Sequence, residues 1–214
     1  MDNIVLFDEN AEQYDQWFER NQHILASEIA AIKLVIPNFS KGIEIGVGTG
    51  VFAAQLGIQH GVEPAKHMRE KASARGIQVI DALAEHLPIE NEVYDFVMMV
   101  TVDCFLKDIL QAFKEVWRIL TVNGYFIVAF IDKNAPLGRI YDLKKHTSEF
   151  YKPAVFHSAC EIRAYLQKAG FAVVGERQTI FDLENKLQES KPGVGEGVFA
   201  IMKARKISMQ CDRA

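Results

Sequence analysis

Three glycines in five residues, Gly46, Gly48 and Gly50, stand directly behind the short apolar run Gly42 to Ile45. Glycine at such a place lets the backbone take angles closed to other residues. It also removes the β-carbon that would keep a ligand away from the main chain. The helical pattern Val51 to Leu56 follows at once, so the amides that open this helix can bind an anionic group seated in the turn. A strand, a glycine turn and a helix start together suit a nucleotide-like ligand. A dinucleotide fingerprint would need its third glycine or alanine where this chain has Val51, so the turn does not match one.

The order that is present, Glu44-Ile45-Gly46-Val47-Gly48-Thr49-Gly50, resembles the first motif of class I S-adenosylmethionine-dependent methyltransferases of the small-molecule type. The resemblance runs over about residues 10 to 203 and is strong for fold and cofactor, weak for substrate. It implies S-adenosylmethionine as cofactor, S-adenosylhomocysteine as product, and Glu44, Gly46, Gly48 and Gly50 as cofactor-binding positions. Glu63, in Gly61-Val62-Glu63-Pro64, matches the acidic residue that ends the second strand and accepts both ribose hydroxyls. A carboxylate suits that task, because each oxygen can take one proton in a charge-assisted bond. Met68 is similar to the hydrophobic residue beneath the adenine. Ala84-Glu85-His86-Leu87-Pro88 resembles the segment whose main-chain and side-chain groups meet the adenine edge. Many members carry Asp before that Ala; here it is Leu83, which leaves the backbone contact of Ala84. Phe96 to Thr101 resembles the fourth strand, whose end faces the methyl donor, and Tyr14-Asp15-Gln16-Trp17 resembles the segment that covers the cofactor in related enzymes. Ala112, Glu115, Arg118-Ile119-Leu120 and Gly124 match an architectural pattern, with Asn123 in place of its first glycine, and Ala169-Gly170-Phe171 matches the lead into the sixth strand.

These residues need elements to position them. Short apolar runs alternate with amphipathic stretches: 42–45, 59–62, 77–80, 94–100, 125–131, 171–174 and 198–202. That alternation yields a mostly parallel sheet with helices on both faces. The expected fold is α/β, a Rossmann-like, doubly wound sheet of seven strands with an antiparallel last strand and an N-terminal helical cap. The run Asp95 to Val100 is apolar on both parities, so it belongs in the middle of the sheet. Residues 107–120 place Ile109, Leu110, Phe113, Val116, Trp117 and Leu120 on one helical face, ending at Asn123-Gly124. One domain, 1–214, is expected, with residues 1–36 and the inserted segment 132–157 outside the alternation. Both concentrate aromatic residues and are read as caps over a site at the strand ends.

The bulk numbers narrow the function. The 214 residues carry a formal charge of −4, with hydrophobic residues at 49% and no long basic run, which speaks against nucleic acid as partner. Three scattered cysteines, Cys104, Cys160 and Cys211, argue against a disulfide framework or a thiolate zinc site. Neither a signal peptide nor an apolar run long enough to span a membrane is visible, so a soluble protein in the cytoplasm is expected. The six histidines show no metal-binding pair, and no metal is expected. Candidates for a catalytic group are Asp103, after the fourth strand, and His146 and His157, in or beside the later cap. Capping or surface roles for all three stay open. Methyl transfer from a sulfonium works by proximity and orientation, and needs a base only for an acceptor that holds its proton at neutral pH. The partner is expected to be a small-molecule methyl acceptor. A non-catalytic S-adenosylmethionine-binding protein and a nicotinamide-dependent oxidoreductase are the competing readings, the latter disfavoured by Val51.

Overall fold

Asp95 apart, every residue of the run Tyr94–Val100 is buried, and the architecture follows from covering both of its faces. The computed structural model describes residues 3–207; Cys211 lies outside them. Three helices come first, α1 (Asn3–Glu9), α2 (Ala11–Arg20) and α3 (Gln22–Lys33). Then follow β1 (Gly42–Ile45), α4 (Val51–Leu56), β2 (His60–Val62), α5 (Lys66–Ala74), β3 (Gln78–Ile80) and β4 (Tyr94–Val100). The second half holds α6 (Ile109–Ile119), β5 (Leu120–Ile131), α7 (Pro136–Lys144), α8 (Ala159–Lys168), β6 (Phe171–Thr179), β7 (Lys191–Pro192) and β8 (Phe199–Lys206).

The strands form one sheet in the order β3-β2-β1-β4-β5-β8-β6-β7. β1 to β5 are parallel, and β8 runs antiparallel between β5 and β6. The sheet therefore has eight strands rather than the expected seven, the addition being the two-residue edge strand β7. Its Lys191 and Pro192 carry no apolar run, so no periodicity could announce it.

Alternation along β4 sorts the core into two layers. Val97 and Met99 join Phe126, Val128, Phe113, Val116 and Leu166 on one face. Phe96, Met98 and Val100 join Ile127, Ala129, Phe52 and Ile32 on the other. α6 starts with Asp108, whose carboxylate accepts the Gln111 N–H at 2.9 Å as an N-cap. The helix buries Ile109, Ala112, Phe113, Val116 and Ile119. It ends at Ile119, earlier than Asn123-Gly124, because Leu120 already pairs with Tyr94 across the sheet. Asn123 does take the left-handed conformation, at φ 64°, but inside β5 rather than at a helix exit.

β1 leads on to β2 and β3 on one side, and β4 to β5 on the other. The chain thus reverses its winding between β1 and β4, the crevice where open α/β sheets bind ligands. Gly46 and Thr101 follow these two strand ends. Phe113 is fully buried and packs edge-on against Phe126 with ring centroids 5.1 Å apart. Phe113→Ala should lower the unfolding free energy by about 3–5 kcal/mol, the usual cost of a large cavity in a core, as read by chemical denaturation.

Candidate functional site

The turn after β1 is stitched to β2, since the Gly46 and Val47 amides donate to the Val62 carbonyl at 2.7 and 3.0 Å. All three turn glycines have positive φ, but they are not equivalent. A β-carbon on Gly46 would lie 2.4 Å from Val102 Cγ2, and one on Gly50 would lie 2.5 Å from Ile77 Cδ1. Those two positions are glycine because the chain packs against them. On Gly48 (φ +55°) the nearest atom would be the Tyr14 ring at 3.8 Å. That is ordinary contact distance, so packing alone does not demand a glycine at 48, and its backbone lines the cavity beside the turn.

Glu63 follows β2 and turns back over this backbone. Its Oε2 accepts the Gly48 N–H at 3.0 Å and its Oε1 the Ala65 N–H at 2.9 Å. Burial pushes its carboxyl up, and the two amides oppose that. Glu44, in the middle of β1, is buried still more deeply, and burial holds its carboxyl well above the usual range. Its Oε2 has no hydrogen-bond partner, which is rare for a buried carboxylate.

Asp15, on α2, grips the turn from the other side. It accepts the Thr49 hydroxyl at 2.6 Å, Arg75 at 3.0 Å and Lys71 at 3.2 Å. Burial raises its carboxyl, but these bonds outweigh burial and leave it below the ordinary range. Arg75 also donates to the Thr49 carbonyl. α1 is tied to the same region, because Asp8 accepts the His67 N–H at 2.7 Å in the first turn of α5.

A single cavity of about 780 Å³ opens beside the turn. Gly46, Gly48, Glu63, Met68, Ala84 and Thr101 contribute to its wall. Thr101 is held at φ 53°, a strained backbone of the kind that collects at ligand sites. Glu85 also reaches the wall, but its Oε1 accepts the Lys107 and Asp108 amides at 3.0 and 3.4 Å. Leu83 is exposed there and offers no polar group. Tyr14, Phe18 and Glu28 come from the N-terminal helices, and Tyr141, Phe150 and Tyr151 from 132–157. The two segments meet over the cavity: Phe7 stacks on Phe150 at 5.8 Å, and Tyr14 meets Phe150 edge-on at 5.8 Å.

The three catalytic candidates lie elsewhere. Asp103 is 1% exposed and 3.0 Å from Nδ1 of His157. Burial pushes the Asp103 carboxyl up, His157 opposes this, and Oδ1 has no partner. His146 is exposed. None of the three is among the wall residues of the cavity. Glu44 is likewise behind the turn rather than in the wall. Two polar residues to which the sequence gave no role of their own stand out instead, Asp15 in the turn's clamp and Glu28 in the cavity. Asp15 stands in the segment Tyr14 to Trp17 that resembles the family's cofactor cover, and that resemblance is its only signal. Glu28 gave none, because it sits among ordinary helix formers.

A family model described as a methyltransferase domain matches residues 43–128. A protein of Methanocaldococcus jannaschii is 43% identical over 204 residues, covering 94% of this chain and 99% of the relative. A crystal structure from Thermotoga maritima is 39% identical with a TM-score of 0.92, covering 96% of this chain and 100% of that one. It is described as a SAM-dependent methyltransferase, "possible histamine N-methyltransferase". The chain belongs to the class I S-adenosylmethionine-dependent methyltransferase family. A malonyl-[acyl-carrier protein] O-methyltransferase of Geobacter sulfurreducens is more distant, at 25% identity over 78% of this chain and 69% of the relative. Within this methyltransferase fold the pattern residues Glu115 and Arg118 hold the loop that carries Ala84 to Ile89. Arg118 donates to the Leu87 and Ile89 carbonyls, and Glu115 accepts the Leu87 N–H at 2.9 Å. Among the described residues no helix is long and apolar enough to cross a membrane.

Glu28 makes this methyltransferase's stability depend on pH. Burial raises its carboxyl to about 8 in the folded chain, against an ordinary value near 4.5 when unfolded. The folded state therefore keeps a proton that the unfolded state releases. This contribution to stability is whole below about pH 4.5 and is lost as pH rises towards 8, at about 1.4 kcal/mol per pH unit. Glu28→Gln should match the parent near pH 4.5 and exceed it above pH 8, measured as denaturation midpoints at both pH values.

Proposed function

We propose that this chain transfers the methyl group of S-adenosylmethionine to a small-molecule acceptor. The observation that carries the reading is the Glu63 carboxylate held on the backbone amide of Gly48, both in the wall of one cavity. S-adenosylmethionine brings a methyl group on a charged sulfur and leaves as S-adenosylhomocysteine. Each Glu63 oxygen spends one lone pair on a backbone amide and keeps another for a ribose hydroxyl. Gly48 lets the methionine portion lie against the main chain. Met68 is buried in the same wall as Ala84 and suits the adenine ring. The Glu85 side chain is taken up by amides of the 107–108 turn, which leaves the backbone of this segment for the adenine edge. Glu44, whose neutral form is favoured by burial, supports the turn from behind and does not touch the donor. Tyr14 and Thr101 border the space where donor and acceptor meet.

In this reading catalysis is orientation and exclusion of water. Residues 1–36 and 132–157 act as the cap, joined by the contacts of Phe7 and Tyr14 with Phe150. Asp103 and His157 act as a buried pair that positions the turn after β4 rather than as groups that touch the reactants. The relatives' descriptions name different acceptors, so the acceptor has to be read from this cavity. We place the activity in the cytoplasm, on the strength of the widely spaced cysteines and the lack of a membrane-spanning helix among the described residues.

Glu63→Ala should weaken S-adenosylhomocysteine binding by about 1.5–3 kcal/mol, the range for hydrogen bonds to a charged group. Glu63→Gln, which keeps the shape and one acceptor oxygen, should lose less. Titration calorimetry gives both values, with NADH as a control that should not bind. Equal affinity in parent and Glu63→Ala would remove the assignment.

A further inference from the structure

Glu28 lies on α3 one turn after Ile24, and both residues reach the cavity wall. Its side chain is nine-tenths buried. The other wall carboxylates are occupied or wet. Glu63 and Glu85 each hold backbone amides, Asp108 caps α6, and Glu149 is exposed. Glu28 makes no hydrogen bond or ion pair among the described residues, and burial is the sole influence on its carboxyl. The cations of the wall, Arg20, Lys107 and His86, are all exposed. Among the described residues no buried positive group answers this carboxylate.

The surroundings suit a cation as well. Tyr14, Tyr141 and Tyr151 share the wall with Glu28, and the charge of Glu28 helps to hold all three phenols above their ordinary range, after burial. Ring faces attract organic cations, more so when water is excluded. A carboxylate buried among apolar atoms is costly until a counter-charge arrives, and the attraction between the two is then larger than in water.

We propose that the acceptor is a small organic amine, held as its ammonium ion by Glu28 among the rings of Tyr14, Tyr141 and Tyr151. The nitrogen passes its proton to the Glu28 carboxylate, and the freed lone pair takes the methyl group as the sulfur–methyl bond breaks and S-adenosylhomocysteine leaves. This rests on the methyl-transfer reading of the same cavity and names the chemistry of its second substrate. A neutral alcohol of equal shape would gain one hydrogen bond without the charge, and a carboxylic acid would meet repulsion from Glu28. Glu28 is here a specificity-determining residue of the acceptor pocket.

The test uses the full chain saturated with S-adenosylhomocysteine and two pairs of probes, 2-phenylethylamine with 2-phenylethanol and hexylamine with hexanol. Calorimetric titration at about pH 9, above the value of about 8 to which burial raises the Glu28 carboxyl and below the ordinary range of alkylamines, should find at least one amine about tenfold or more tighter than its alcohol, the equivalent of about 1.4 kcal/mol. Phenylacetate should bind more weakly than either member of its set. Glu28→Gln keeps the shape and removes the buried acid, so the variant should fold, as its thermal midpoint will show. It should lose the amine's advantage while S-adenosylhomocysteine affinity stays as in the parent. Alcohols that bind as tightly as their amines would overturn the proposal. So would a Glu28→Gln variant with unchanged amine affinity, or a loaded protein that binds neither amine at millimolar concentration. Failure of the parent to bind S-adenosylhomocysteine would instead sink the methyl-transfer reading on which the proposal stands.

Discussion

The glycine turn between β1 and α4 is held between two buried carboxylates, and the cavity depends on that hold. Glu63 reaches it from β2 and takes the Gly48 amide. Asp15 reaches it from α2 and takes the Thr49 hydroxyl. Backbone at φ values of +55° to +83° has much freedom to lose, and a ligand that met a mobile turn would bear the cost of ordering it. The two carboxylates remove that freedom beforehand. Lys71 and Arg75 bring α5 into the same arrangement, so the N-terminal helices, the turn and α5 form one charge-assisted network. Removing either partner would leave the other charge buried and unpaired, which is worse than never having had the pair.

Much of this was legible in the sequence wherever the local pattern decides the structure. The double-sided apolar run 94–100 placed β4 in the centre, and the three glycines located the turn and, through it, the cavity. The end of α6 was misread by several residues, because Leu120, Thr121 and Val122 fit a helical face and a strand equally well. Pairing of Leu120 with Tyr94 settled the matter, and pairing is not a local property. The strand β7 escaped for the same reason.

Asp15, Glu28 and the Asp103–His157 pair show where sequence reasoning ends. Their significance lies in partners 34 and 54 residues away, or, for Glu28, in having none. A carboxylate on a helix reads as solvated surface until the tertiary structure buries it. The sheet side of the cavity is built from rigid strand ends and a clamped turn. The opposite side is built from aromatic rings on the N-terminal helices and on residues 132–157.

The order of the strands has a further consequence for how the molecule behaves among its own copies. The long strands β4, β5 and β8 all lie inside the sheet, with a strand on either side of each. One margin is β3, with three residues; at the other, β7, two residues of which one is Pro192, covers only Arg177 and Gln178 of β6. A margin that short offers little template for a strand from another molecule, and a proline there has no N–H to donate. The small β6–β7 hairpin that first looks like an ornament thus shields Arg177 and Gln178 from edge-to-edge pairing, while the rest of β6 has no strand beside it on that side.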